Sequence, residues 1–227
     1  SHYEAGAWRP YSRPELLEVL IECMRRVPPY CRVTRVIRDI PGDDILVGNK
    51  TTNLRAVAER ELRSRGWPCR DIRSREIRSG TVAVERLELG EVRYETPIGE
   101  EVFLQFVTED DRIVGFLRLA LPERESYLEE IGRSAVVREV HVYGATASLG
   151  EKDELKSQHL GLGRKLIRRA ETLARQAGYL DLAVISSVGT REYYRRQGFA
   201  DGTLYQHRRL EAGGHGCFSA SAMKRAP

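Results

Sequence analysis

The stretch Gln158-His159-Leu160-Gly161-Leu162-Gly163-Arg164-Lys165-Leu166 constrains this chain most. Two closely spaced glycines running into an amphipathic segment over 164–178 predict a turn that opens a helix. Such a turn points several main-chain N–H groups outward, where the helix dipole also favours negative charge, so it can cradle a diphosphate. Two common phosphate-binding patterns do not fit. A Walker loop needs Gly-Lys-Ser/Thr after its second glycine. A dinucleotide fingerprint needs an acidic residue about twenty positions on, at the end of a second parallel strand.

The flanking periodicities supply a frame for that turn. Residues 136–143 alternate as a strand, 182–188 form a second β-rich run, and 190–199 read as a short helix closed by Gly198. Upstream, Leu16, Leu17, Leu20, Ile21 and Met24 have the spacing of a helix over 14–26, which Pro28-Pro29 stops. The pattern predicts a strand over 31–40, a helix over 53–65 closed by Gly66, and an extended connector over 70–77. Three consecutive antiparallel strands are expected at 82–89, 101–108 and 113–121, with Asp110-Asp111 in a tight hairpin. Residues 123–134 are too charged to separate helix from loop. The expected class is α/β, a mixed and mostly antiparallel sheet flanked by helices.

Strand, glycine-rich turn, helix, strand and a Tyr-bearing helix ending in Gly198-Phe199 resembles the core of the GNAT acyl-CoA-dependent N-acetyltransferases. Within it, Arg138-Glu139-Val140-His141-Val142-Tyr143-Gly144, Gln158-His159-x-Gly-x-Gly and Val184-Ile185-Ser186-x-Val188-Gly189-Thr190-Arg191-x-Tyr193-Tyr194-Arg195 are similar to the acetyltransferase domain of the Elongator catalytic-subunit family. Val27-Pro28-Pro29, Arg35-Val36-x-Arg38-Asp39-Ile40-Pro41, Asn53-Leu54-Arg55 and Cys69-Arg70-Asp71-Ile72-Arg73-x-Arg75-Glu76 resemble the segment joining that family's radical-SAM barrel to its acetyltransferase domain. The resemblance covers residues from about 10 to 210. It divides the chain into an Arg-rich end of the radical-SAM domain with its linker (1–78), a GNAT domain (79–212) and a tail (213–227).

The resemblance implies an acetyl-CoA site. Gln158, His159, Leu160, Gly161, Leu162, Gly163, Arg164 and Lys165 would bind the cofactor, with the main-chain amides of residues 159–165 holding its diphosphate. Val140, His141 and Val142 on one strand, with Ser187, Tyr193 and Tyr194 beyond the other, would line the rest. Tyr194, four residues before Gly198, would donate a proton to the leaving thiolate, a role that suits a phenol because negative charge develops on sulfur. Strand alternation puts Glu139, His141 and Tyr143 on one face. Glu139 and His141 are then an acid–base pair, or else a hydrogen-bonded core histidine and a carboxylate paired to a nearby Arg.

Charge is uneven along the chain. Residues 1–80 carry 15 Arg and 1 Lys against 11 acidic residues, a net +5, whereas 81–227 carry 21 basic and 22 acidic residues, a net −1. Two segments concentrate the excess, Arg32, Arg35 and Arg38 in one and Arg70, Arg73 and Arg75 in the other. The guanidinium fork suits phosphate and sugar contacts, so these residues are candidates for an RNA surface, unless Asp39, Asp71 and Glu76 neutralise them. With the resemblance, the expected substrate is tRNA, modified at its wobble uridine to a carboxymethyl uridine, with no DNA partner. Elongator-type subunits or a second copy are possible partners. A protein lysine acetyltransferase and a non-catalytic CoA- or RNA-binding module are the alternatives.

SAM and an iron–sulfur cluster are expected only in the intact enzyme, because Cys23, Cys31, Cys69 and Cys217 lack the close three-cysteine spacing of such a cluster. Neither a disulfide framework nor a metal site is expected from them, and the first three are expected to be buried or partly buried thiols. No apolar run has transmembrane length and no signal peptide opens the sequence, which points to a cytoplasmic protein with no membrane partner.

Overall fold

A computed structural model describes residues 2–38, 40–78, 84–143 and 154–211, with side chains in the last range from Gly161 onward. The expected tail, Cys217, Asp39 and most of the segment before Gln158 lie outside those residues. The chain divides into two compact units. One comprises Ser1–Val92, Gln105–Gly115 and Val142–His159; the other comprises Arg93–Leu104, Phe116–His141 and the chain from Leu160 onward.

The first unit is led by two helices, α1 (Arg13–Arg26) and α2 (Leu54–Ser64). Ser12 caps α1 in a reciprocal box: Glu15 N–H donates to the Ser12 hydroxyl, and Ser12 N–H donates to the Glu15 carboxylate at 2.7 Å. Ile21, Met24, Ala58 and Leu62 form the core between the helices, with Leu17, Leu20, Val36 and Cys69 packed against it. Gly66 closes α2 in the left-handed region at φ 69°, which lets Trp67 N–H reach back to the Leu62 carbonyl at 2.9 Å.

Two expectations fail in this unit, for one reason. The described residues of 31–40 form no strand, and 70–77 is not extended but carries a short helix, α3 (Ile72–Arg75). The backbone of 31–34 bonds to that helix and to side chains instead of to a neighbouring strand. Ile72 N–H donates to the Cys31 carbonyl at 2.9 Å, and Arg55 donates to the Val33 carbonyl at 2.7 Å. Val33 N–H donates to buried Asp71, and Arg73 donates to the Thr34 carbonyl. Asp71 stays ionised below the ordinary carboxylate range. Burial works against its charge, but the Ser74 hydroxyl and the Arg55 guanidinium at 2.7 Å outweigh it. After α3, Glu76 bridges in parallel to Ile113, and Arg75 is buried with its guanidinium on Asp111.

Among the described residues, seven strands form one sheet in the order β1-β2-β3-β4-β5-β7-β6: β1 (Glu88–Thr96), β2 (Gly99–Val107), β3 (Ile113–Pro122), β4 (Ala135–Val142), β5 (Asp181–Val184), β6 (Ala200–Asp201) and β7 (Gln206–Arg209). Where a strand was expected at 82–89, residues 84–86 make a single 3-10 turn, and the strand runs later, as β1. The tight turn at Thr96–Gly99 requires glycine, since a Cβ on Gly99 would stand 2.4 Å from the Leu121 carbonyl oxygen. Asp111, at φ 60°, makes the other hairpin turn as expected. Residues 123–134 are turns and bends rather than helix.

The longest helix, α4 (Glu154–Gln176), belongs to the second unit from Leu160 onward and buries Leu162, Leu166, Ile167, Ala170, Leu173 and Ala174, a stripe of helical period. β5 stops at Val184, earlier than the sequence suggests, and a 3-10 turn at Val188–Thr190 leads into α5 (Arg191–Arg195).

Candidate active site

β4 and β5 are the parallel neighbours of the sheet, in register at Ala135↔Leu182, Val136↔Ala183 and Val137↔Val184. β5 ends there, while β4 runs five residues further to Val142. A parallel pair whose strands part at their carboxyl ends leaves a fork open beside the sheet, which is where α/β sheets take ligands. The next residues, Arg138 and Ile185, stand on the two arms of the fork, and Glu139, Val140 and His141 follow on β4.

Glu139 and His141 do meet. Glu139 Oε1 lies 2.9 Å from His141 Nε2, and its Oε2 accepts from Arg118 Nε at 2.8 Å. The imidazole stacks on Phe116 at 5.1 Å between centroids and is half exposed. Hydrogen bonding to His141 first, then to Arg118, overrides partial burial and holds the Glu139 carboxyl down to about 2. The alternative reading of His141 as a core residue is excluded by its exposure. Arg118, on β3, was not singled out from the sequence. Its guanidinium lies 5.2 Å from the Phe103 ring and 3.1 Å from the Tyr94 hydroxyl. Tyr94 in turn donates to buried Glu101 at 2.5 Å, and Glu101 also takes Arg138.

One chain of polar contacts therefore joins His141, Glu139, Arg118, Tyr94, Glu101 and Arg138. Arg138 and Glu139 are neighbours in sequence, yet both reach it. Side-chain alternation is interrupted between them, as at a bulge, and bulges re-aim side chains beside functional sites. A regular alternation would have set Arg138 and Glu139 on opposite faces.

Tyr194 lies on α5, buried to 7 % exposure, edge-on to Tyr193 at 5.2 Å and to Phe199 at 5.5 Å. Burial pushes its phenol up to about 12, so it keeps its proton across the physiological range. Tyr193 is half-buried and Ser187 exposed at the start of the turn before α5. Gln206, also absent from the sequence-derived set, is 2 % exposed and spends its side chain on this turn. Its Nε2 donates to the Arg191 carbonyl at 3.2 Å and to Asp201 at 2.7 Å, while its Oε1 accepts from Ser186 at 2.6 Å.

The glycine-rich stretch departs from expectation. α4 begins at Glu154, so residues 158–163 are helix rather than a turn before one. Within a helix the N–H groups of residues 159–165 face carbonyls four residues earlier, and the unpaired ones belong to the first turn. Gly161 still leaves room, since a Cβ there would meet no atom within 4 Å. Arg164 and Lys165 are exposed beside it, and Leu162 and Gly163 are buried. Val142, Gln158 and His159 fall in the first unit.

Of the six candidate RNA contacts, Arg75 is withdrawn, because its guanidinium is buried on Asp111. Arg32 bonds Glu76 and the Tyr143 hydroxyl, each at 2.6 Å. Arg73 is tied to Thr34 but only half-buried, and Arg35, Arg38 and Arg70 are exposed. The cysteines do not fit a cluster. Cys23 is exposed rather than buried, Cys69 contacts Ser74 and Asp71, and no group of three or more His, Cys, Asp or Glu side chains able to hold a metal occurs among the described residues. No described helix is long and apolar enough to cross a membrane.

Residues 1–64 match the Radical_SAM C-terminal domain family. Over 87 % of this chain, it is 40 % identical to a tRNA uridine(34) acetyltransferase of Dehalococcoides mccartyi and 38 % identical to Elongator complex protein 3 of Mus musculus. The solved structure of Elp3 from the archaeon Methanocaldococcus infernus superposes with a TM-score of 0.81 at 32 % identity, covering 92 % of this chain and 51 % of that one. The chain belongs to the Elongator complex protein 3 family. It spans 44 % and 37 % of the two curated relatives, so it represents about half or less of a full-length family member. The family assignment and the mixed sheet agree with the resemblance read from the motifs.

Proposed function

We propose that this chain is the acetyl-CoA-binding acyltransferase part of an enzyme that modifies the wobble uridine of tRNA. The observation that carries the reading is the fork between β4 and β5, with an ionised carboxylate and an imidazole on one arm and a protonated phenol on the helix after the other. The names of the relatives support the uridine as target. The thioester enters the fork, and the diphosphate lies along the open side of Gly161, where Arg164 and Lys165 supply positive charge. Donation by the main-chain amides of 159–165 requires the start of α4 to unwind.

Glu139, held at about 2, is a poor proton acceptor and a good anchor. It fixes the His141 ring, and His141 takes the proton from the water that attacks the thioester carbonyl. As the carbon–sulfur bond breaks, Tyr194 gives its proton to the CoA thiolate, so the products in the absence of an acceptor are acetate and CoA. The exposed arginines, Arg32, Arg35, Arg38 and Arg70, with half-buried Arg73, serve tRNA. Isothermal titration with acetyl-CoA, alone and with a tRNA anticodon stem-loop, tests both halves. Binding of both ligands is expected, and failure of acetyl-CoA to bind overturns the reading.

A further inference from the structure

The fork opens on one side into a pocket of about 380 Å³ within the second unit. Ile98, Ala120, Ile131, Val136 and Ile185 supply most of its exposed wall as apolar surface, while Arg124, Glu125 and Arg138 bring charged groups to the rest of the lining. The register places it. Val136 pairs with Ala183, and Ile185 is two residues on, so Val136 and Ile185 share the face of the sheet on which Ala120 and Arg118 also stand. The opposite face of β4 is closed, Ala135 and Val137 being 0 % and 1 % exposed. The pocket thus begins where β4 and β5 part and lies on the face that carries the Arg118–Glu139 contact.

A cavity of this size suits a whole drug-like molecule, and a two-carbon acetyl group fills only a small part of it. Arg138, the charged group nearest the fork, is engaged by buried Glu101, so its charge is compensated and the walls remain the dominant chemistry. We infer that this pocket receives the acyl end of the thioester and admits unbranched acyl groups longer than acetyl. The inference rests on the acyl-CoA reading and extends it to substrate class. Ala120, Val136 and Ile185 are the residues that set the length limit, and each methylene transferred into such walls gains about fourfold in affinity.

The test is isothermal titration of the chain with free CoA, acetyl-CoA, propionyl-CoA, butyryl-CoA and hexanoyl-CoA, repeated with Ile185→Trp and Val136→Phe. Ile185 is 58 % exposed, so its replacement spares the fold, and circular dichroism checks the Val136 variant. Affinity is expected to rise about fourfold per methylene from acetyl to butyryl, and both variants are expected to abolish the rise while leaving free CoA, which carries no acyl group, within about twofold. A wild-type affinity that is flat or falls from acetyl to butyryl overturns the inference alone, as does a rise that Ile185→Trp leaves intact. Loss of every CoA species, free CoA included, overturns the acyl-CoA reading and the inference with it.

Discussion

Arg118 Nε donates to Glu139 Oε2 at 2.8 Å, and the carboxylate's other oxygen holds His141. Arg118 thus acts on the imidazole through Glu139. Arg118→Met keeps the stem that covers Phe103 and Phe116 but removes the donor. Loss of a hydrogen bond between charged groups is worth about 1.5–3 kcal/mol, so acetyl-CoA hydrolysis is expected to fall about tenfold to a hundredfold with little change in KM. Glu139→Gln in the same background is expected to add little, because both changes release the same ring. Steady-state kinetics of the two single variants and the double variant measure that coupling.

The depressed Glu139 pKa also fixes a direction for stability against pH. A carboxylate whose folded pKa lies below its unfolded value contributes stability that is present above the unfolded pKa, about 4.3, and is lost as pH falls through the folded pKa, about 2. The difference in urea midpoint between the wild type and Glu139→Gln is therefore expected to shrink as pH falls between about pH 5 and 2. A difference that grows on acidification contradicts the assignment.

Tyr194 remains a phenol up to about pH 12. Tyr194→Phe retains the edge-on contacts with Tyr193 and Phe199 and removes only the proton. Thioester hydrolysis is expected to drop about 10²- to 10⁴-fold, while the acetyl-CoA Kd stays within a factor of two. Hydrolysis at the wild-type rate would assign the proton to another group.

What the sequence disclosed follows from which forces are local. The helices over 14–26 and 53–65 were legible because the apolar spacing of the first, its Pro28-Pro29 stop and the Gly66 stop of the second act within a few residues. The strand expected at 31–40 was not, since Arg55, Asp71 and Ile72 satisfy its backbone from elsewhere in the chain. Gly161 and Gly163 read as a turn, yet each glycine costs a helix only about 1 kcal/mol, and Leu160, Leu162, Arg164, Lys165 and Leu166 favour continuing it. Glu139, His141 and Tyr194 were proposed as site residues through motif and alternation. Arg118 and Gln206 were hidden because each lies in an unremarkable strand and meets partners far along the chain, Glu139 for Arg118 and Ser186 and Arg191 for Gln206, at separations of 15 to 21 positions.

Gln206 ties Ser186, the Arg191 carbonyl and Asp201 together at the base of the helix that bears Tyr194. Gln206→Leu preserves bulk and leaves those partners unsatisfied, which is expected to cost about 2–3 kcal/mol in chemical denaturation. If the residue positions α5, the variant also loses kcat at temperatures where it is fully folded, and Tyr194→Phe then produces little further loss. A folded variant with unchanged kcat reduces Gln206 to a purely structural role.

The arginines divide by burial into two classes with opposite expected phenotypes. Arg70 is exposed, and Arg70→Ala is expected to weaken anticodon stem-loop binding and to lower the slope of log K against log salt by about one unit, with no change in stability. Arg75 is 5 % exposed, donating to the Asp111 carbonyl at 3.1 Å and pairing with its carboxylate. Arg75→Ala is expected to destabilise the fold by about 1–3 kcal/mol, because a buried donor set between α3 and the Asp111 hairpin is lost. Its salt slope for RNA should match the wild type at a temperature where both are folded. Titrations at several salt concentrations, paired with thermal melts, separate the two. A reduced salt slope for Arg75→Ala would mean that its guanidinium leaves Asp111 to meet a phosphate.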